Sequence, residues 1–197
     1  MGYEYEMKYA ASPEQLEALF RRFSGSFHTL TMETTYYDTE NRDFSSRRYS
    51  LRLRKENGEP VCNLKIPLDA FSRGEWECRE ADIAAGAEIL ARMSGVKELE
   101  ALAQQPLFPL CGARFTRRAA ELSPAGCTVE LALDQGILLG GSRTAPLCEV
   151  EVEHKSGSRE AAAAFARALA GEFSLAEEPK SKFARAMALA SEEKHGL

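Results

Sequence analysis

The sequence predicts an α+β fold: an eight-stranded antiparallel β-barrel with a charged interior, a wet tunnel covered by several helices. Three observations carry this prediction. Charged and apolar residues alternate in six separate segments, and successive side chains of a strand point to opposite faces, so each segment has one charged and one apolar face. The helical segments have apolar stripes that need an apolar surface to cover. Eight mostly antiparallel strands close into a barrel because closure removes edges that would pair with other chains. With helices outside, the aliphatic faces point outward and the charges inward. Burying so many charges is prohibitive unless water, metal ions or a charged ligand accompanies them.

The elements follow in order. Glu4, Glu6 and Lys8 alternate with Tyr5 and Met7 in a first strand over 2–9. Ser12 is placed as a helix N-cap, with Pro13 at N1 and Gln15 closing a capping box, and Leu16, Leu19, Phe20 and Phe23 fall at helical spacing before Gly25 stops the helix. A Thr- and Tyr-rich strand over 27–38 ends in the turn Asp38-Thr39-Glu40-Asn41. Asn57-Gly58, a strong hairpin signal, joins strands over 47–56 and 60–67. Within them Ser50-Leu51-Arg52-Leu53-Arg54 and Asn63-Leu64-Lys65-Ile66 put cations on one face and aliphatics on the other. Glu75-Trp76-Glu77-Cys78-Arg79 alternates again, with Trp76 opposite the carboxylates and so assigned to packing. A helical interval over 84–104 ends before Pro106 and Pro109. Strands over 112–122, 126–139 and 145–155 follow, joined by Ser123-Pro124-Ala125-Gly126 and Gly140-Gly141-Ser142. They hold Thr128-Val129-Glu130-Leu131-Ala132-Leu133-Asp134 and Cys148-Glu149-Val150-Glu151-Val152-Glu153. Ser158 caps a helix running to Gly171, and a last helix spans 182–190.

Composition bounds the function. With 197 residues, 44% hydrophobic and 28% charged, the chain reads as one soluble globular domain over 1–197. A net charge of −5, from 25 basic and 30 acidic residues, does not favour nucleic acid or an anionic membrane, and the basic pairs Arg21-Arg22, Arg47-Arg48 and Arg117-Arg118 are too short for a nucleic-acid patch. A bound polyanion therefore needs locally concentrated Arg and Lys. Five cysteines, odd in number and without CxxC spacing, read as reduced thiols, and with no signal peptide and no apolar run of the ~20 residues needed to span a bilayer the expectation is a cytoplasmic protein. Met1-Gly2 opens no myristoylation signal, because Glu6 stands where Ser or Thr is needed. His28, His154 and His195 are not at metal spacing, and there is no GxxxxGK[ST], GxGxxG or HExxH motif.

In order along the chain, these residues resemble the CYTH superfamily, the triphosphate tunnel metalloenzymes, which include inorganic triphosphatases, thiamine triphosphatases and class IV adenylate cyclases. Glu4-Tyr5-Glu6-Met7-Lys8 matches the ExExK signature, followed by Tyr37-Asp38-Thr39, Ser50-Leu51-Arg52-Leu53-Arg54, Leu64-Lys65, Glu75-Trp76-Glu77, Thr116-Arg117, Glu130, Leu133-Asp134-Gln135-Gly136, the Glu149 to Glu153 alternation and Ser181-Lys182. Asn63 stands where Thr is common, and Ala186 where Gly often follows the Arg at Arg185; neither touches a charged position. The resemblance implies an eight-stranded antiparallel tunnel. It assigns Lys8, Arg52, Arg54, Lys65, Arg117 and Lys182 to the substrate and Glu4, Glu6, Glu149 and Glu151 to metal. Glu130 and Glu153 are further metal candidates, and Glu77 and Asp134 are candidates to orient water, with Lys65 and Arg117 in the catalytic set.

The chemistry suits these residue types. Arg meets phosphate through a planar fork that bonds two oxygens at once, while Mg²⁺ and Mn²⁺ prefer carboxylate, water and phosphate oxygens. The expected function is hydrolysis of the terminal phosphate of a triphosphate, inorganic triphosphate first, with Mg²⁺ or Mn²⁺. The expected partner is a small polyanionic substrate, with no nucleic acid and no membrane, on a monomer or homodimer. Alternatives are a nucleoside or thiamine triphosphatase, a class IV-type adenylate cyclase, or a non-catalytic polyphosphate or organic-phosphate binding module.

Overall fold

The computed structural model describes residues 2–68 and 73–192; His195 lies outside them. The strands are β1 (Gly2–Glu4), β2 (Glu6–Ala10), β3 (His28–Asp38), β4 (Ser50–Glu56), β5 (Glu59–Pro67), β6 (Arg73–Cys78), β7 (Phe108–Leu122), β8 (Cys127–Gly140), β9 (Arg143–Gly157) and β10 (Ala176–Glu177). The helices are α1 (Pro13–Arg22), α2 (Asp43–Ser46), α3 (Ile83–Ser94), α4 (Lys97–Ala103), α5 (Arg159–Glu172) and α6 (Lys182–Glu192). One sheet holds every described strand, in the order β1-β6-β5-β4-β3-β7-β8-β9-β2-β10, with antiparallel neighbours throughout.

The first expected strand is split. β1 pairs with β6 and β2 pairs with β9, at the two ends of the sheet, with only Tyr5 between them. The Tyr5 carbonyl still accepts from the His154 N–H at 2.9 Å. One segment therefore ties both ends of the sheet together, as the stagger of a closing sheet requires when strands tilt against its axis. Two-residue β10, which has no signal in the sequence, adds to the far end of β2.

Apolar strand faces are covered from outside in two places. Leu16 and Leu19 of α1 and Ala162, Ala166 and Leu169 of α5 pack on Val129, Leu131 and Leu133 of β8 and Val150 and Val152 of β9. Leu90 of α3 and Leu99 of α4 pack on Leu51, Cys62, Leu64 and Trp76. The capping box that starts α1 is formed, Ser12 Oγ accepting from the Gln15 N–H at 3.2 Å and Gln15 Oε1 from the Ser12 N–H at 2.7 Å. The expected interval over 84–104 is two helices, because Gly95 ends α3 with φ 70°, a left-handed cap.

The last helix breaks the pattern. Phe183, Ala186 and Met187 of α6 pack with Met32, Tyr36, Phe115, Leu138 and Leu147. Phe115 lies two residues from Arg117, on the same face of β7, so α6 fills one end of the interior instead of covering the outside. Gly140 permits this approach: a Cβ there would lie 2.4 Å from the Ala186 carbonyl oxygen and 2.6 Å from the Ala190 nitrogen. At the other loops, Asp38 is fully buried and its carboxylate accepts from the Thr39, Phe44 and Ser45 N–H groups at 2.8, 2.8 and 2.9 Å. The Tyr37-Asp38-Thr39 motif is thereby a clamp that builds α2 and carries Ser45 and Arg48 to the cavity wall.

Candidate active site

The interior holds a cavity of ≈ 720 Å³. Charged residues of every strand but β3 and β10 sit on its wall: Glu4, Glu6 and Lys8 from the N-terminal segment, Arg52, Arg54 and Glu56 from β4, Lys65 from β5, Arg73, Glu75 and Glu77 from β6, Arg117 from β7, Glu130 from β8, and Glu151, Glu153 and Lys155 from β9, while β3 contributes the polar Thr34 and Tyr36. Together with Lys182 of α6, Lys180 and Arg48, ten cations face eight carboxylates, although the whole chain carries −5. The basic concentration a polyanion needs is local to this wall.

One ionic cluster lies at the floor. Arg117 makes a fork on Asp134, Nε to Oδ1 and one terminal nitrogen to Oδ2, both at 2.7 Å, and also bonds Glu151. Lys182 Nζ reaches Asp134 at 2.8 Å, Glu149 at 2.5 Å and Glu151 at 2.7 Å. Arg185 bonds Glu149 and lies 3.4 Å from Glu178. Asp134 and Glu149 are fully buried beneath these cations and do not reach the cavity, although both stand on the inward face. Burial pushes the Glu149 carboxyl up to about 7 against the pull of Lys182. Desolvation would raise the half-buried Glu151 as well, yet Lys182 and Arg117 hold it well below the usual carboxylate range.

A second cluster spans the seam between the N-terminal segment and β5–β6. Lys65 Nζ bonds both Glu4 oxygens at 2.6 Å and lies 3.6 Å from Glu75, which accepts from Asn63 at 2.5 Å and stands 3.7 Å from Arg52. Lys155 sits between Glu153 at 2.8 Å and Glu130 at 3.9 Å. Glu6 has Lys8 at 3.4 Å, and its carboxyl is pushed up by burial and by the nearby Glu151 and Glu4.

Arg54 is an incompletely compensated cation. Its carboxylate partner is Glu56 at 2.9 Å, and burial with the neighbouring Arg52 and Arg117 lowers its pKa to about 10. The Nε atoms of Arg52 and Arg54 are buried without a hydrogen-bond partner.

Three carboxylates, Asp134, Glu149 and Glu151, bring oxygens within 4.8 Å of one another. Arg117, Lys182 and Arg185 already neutralise them. Glu6 is less fully neutralised: burial and the nearby Glu151 and Glu4 push its carboxyl up, and its oxygens are donors of the kind a hard divalent cation takes.

Sequence reasoning nominated neither Glu75, Lys155 nor Tyr36. Glu75 and Lys155 share the inward parity of Glu77 and Glu153, a signal that was legible, whereas Tyr36 carries no charge to mark it. Arg185 was noted in the last motif without a role; it falls three residues after Lys182 on one helix face. Glu77 lines the cavity as an exposed residue. Trp76 packs outside with α3, and the five cysteines are free thiols. Among the described residues no helix is long and apolar enough to cross a membrane.

The CYTH domain family model matches residues 2–187. A curated inorganic triphosphatase of Haemophilus influenzae is 28% identical over 163 residues, 79% of this chain and 46% of that protein, so the chain spans less than half the length of this relative. A Hippeastrum structure, described as an adenylyl cyclase candidate with a dominant triphosphatase activity, matches with TM-score 0.66 and 19% identity over 98% of this chain and 96% of that one. A Bacillus halodurans structure, provisionally described as an adenylate cyclase, matches with TM-score 0.63 and 21% identity over 92% of this chain and 96% of that one. The two structures share the fold.

Proposed function

The chain belongs to the CYTH domain family, and on that premise we propose that it hydrolyses the terminal phosphate of inorganic triphosphate with a divalent metal ion. The observation that carries the reading is the crowding of Arg52, Arg54 and Arg117 on the cavity wall: burial first, and then the charges of Arg52 and Arg117, lowers Arg54 to about 10, and the Nε groups of Arg52 and Arg54 are buried and unpaired. A neutral ligand leaves that repulsion in place. A compact polyanion relieves it, and a triphosphate offers several charges on neighbouring oxygens.

Glu6, Glu4, Glu151 and Glu153 would hold Mg²⁺ or Mn²⁺, which supplies charge to the phosphate oxygens and polarises water. Arg52 and Arg54 grip phosphate oxygens in pairs, and Lys8 and Lys65 neutralise the remainder. Arg117 and Lys182 are already locked by Asp134, Glu149 and Glu151, so their positive charge is oriented before substrate arrives and needs no reorganisation as charge shifts to the leaving group. Asp134 is sealed beneath Arg117 and acts through it, whereas Glu77 lines the cavity and can accept a proton from water. The water oxygen bonds the terminal phosphorus as the bridging P–O bond breaks, giving phosphate and pyrophosphate.

The test is phosphate release from tripolyphosphate, ATP and thiamine triphosphate with Mg²⁺ or Mn²⁺. Tripolyphosphate should be turned over fastest. Faster release from a nucleotide, or conversion of ATP to a cyclic product and pyrophosphate, would overturn the assignment, and binding without turnover would identify a binding module.

A further inference from the structure

Arg52 has an unusual set of neighbours. Its nearest carboxylate, Glu75, is 3.7 Å away and already accepts a 2.5 Å bond from Asn63. The group directly opposite Arg52 on the neighbouring strand is Tyr36, and both side chains line the cavity. Tyr36 is only 4% exposed and lines the cavity. Its ring packs on Phe183 of α6, with centroids 4.8 Å apart and planes at 38°, and Phe183 follows Lys182 directly in the chain. Tyr36 thus stands beside Arg52 on the cavity wall and packs its ring on the helix bearing Lys182.

A carboxylate in that place would orient Arg52 and cancel its charge. A phenol orients it and leaves the charge whole, since a neutral hydroxyl offers an acceptor without a counter-ion. We propose that Tyr36 is a positioning and affinity-determining residue of the anion site, holding Arg52 at full charge for phosphate and tying its direction to α6. The inference rests on the anion-binding part of the proposed function and concerns binding rather than the hydrolytic step.

Tyr36→Phe keeps the ring and removes only the oxygen. Losing a hydrogen bond to a charged group should weaken tripolyphosphate affinity about tenfold, read as a rise in KM with kcat held within about threefold, and equally as a weaker Kd by calorimetry in chelator. Thermal stability should stay near wild type, which a merely structural tyrosine would not predict. In an Arg52→Ala background, Tyr36→Phe should change affinity by less than about twofold, because the partner it positions is gone. Unchanged affinity in Tyr36→Phe, or the same tenfold loss with and without Arg52, overturns the inference. Wild-type protein that binds tripolyphosphate in chelator without turnover sinks the hydrolytic reading alone, and the calorimetric arm still decides the role of Tyr36.

Discussion

Arg54→Met should make the empty protein more stable and the enzyme much worse. In the folded state the Arg54 pKa falls from its ordinary value to about 10, through burial first and then the charges of Arg52 and Arg117. The folded value lies below the unfolded one, so the folded chain holds this proton less tightly, and at every pH well below 10 the charged form burdens the native state. At 1.36 kcal/mol per pKa unit the burden is on the order of 3 kcal/mol. Methionine keeps most of the aliphatic stem and drops the charge together with the Glu56 contact at 2.9 Å, a pair worth about 0–1 kcal/mol. The net gain should be about 2–3 kcal/mol, which raises the Tm by roughly 4–12 °C for a chain of this size. Calorimetry in chelator, without phosphate, reads the gain. Turnover of tripolyphosphate should fall by about a hundredfold or more, as two charge-assisted bonds to phosphate are lost. With saturating tripolyphosphate the order of stability should invert, since ligand stabilises the wild type more. A lower Tm for Arg54→Met in chelator with turnover preserved would refute the reasoning, since Arg54 would then be a structural cation satisfied by the protein itself.

Two further outcomes follow from the same charges. Arg117→Met should act in the opposite sense, costing about 3–5 kcal/mol because fully buried Asp134 loses its forked partner; Asp134→Asn in the same chain should recover part of the lost Tm, and a single variant as stable as wild type would remove the floor cluster from the argument. Glu6→Gln relieves repulsion from Glu151 and Glu4 and should abolish metal-dependent turnover while tripolyphosphate binding in chelator stays intact or tightens. Normal turnover in Glu6→Gln with either metal would dismiss Glu6 as a ligand.

The faces of the strands were legible because side-chain parity is a local property. Glu4, Glu6 and Lys8, Arg52 and Arg54, and Glu149, Glu151 and Glu153 could be placed on one face by counting in twos, and the capping box at Ser12 and Gln15 by counting in threes. Local signals also marked Asn57-Gly58 as a hairpin, where Asn57 and Gly58 adopt φ 52° and 91°. Parity says nothing of depth, however. Glu149 and Glu151 have the same parity, yet one lies sealed under Lys182 and Arg185 and the other lines the cavity. That difference depends on register with β8 and on where α6 docks, which are set by contacts between residues far apart in the chain.

What the sequence by itself determined was therefore the inventory: strands with a charged inner face, two signs of charge, helices needing apolar cover, and a motif order resembling one family. The tertiary structure alone decided the rest. It placed the sheet ends on either side of Tyr5, sent α6 into the interior through the gap above Gly140, and set a neutral phenol opposite Arg52. The physical reason is the range of the forces concerned. Backbone sterics and hydrogen bonding assign each residue a face within a few positions of chain, whereas the partner of a buried charge is chosen by closure, stagger and packing of the whole barrel.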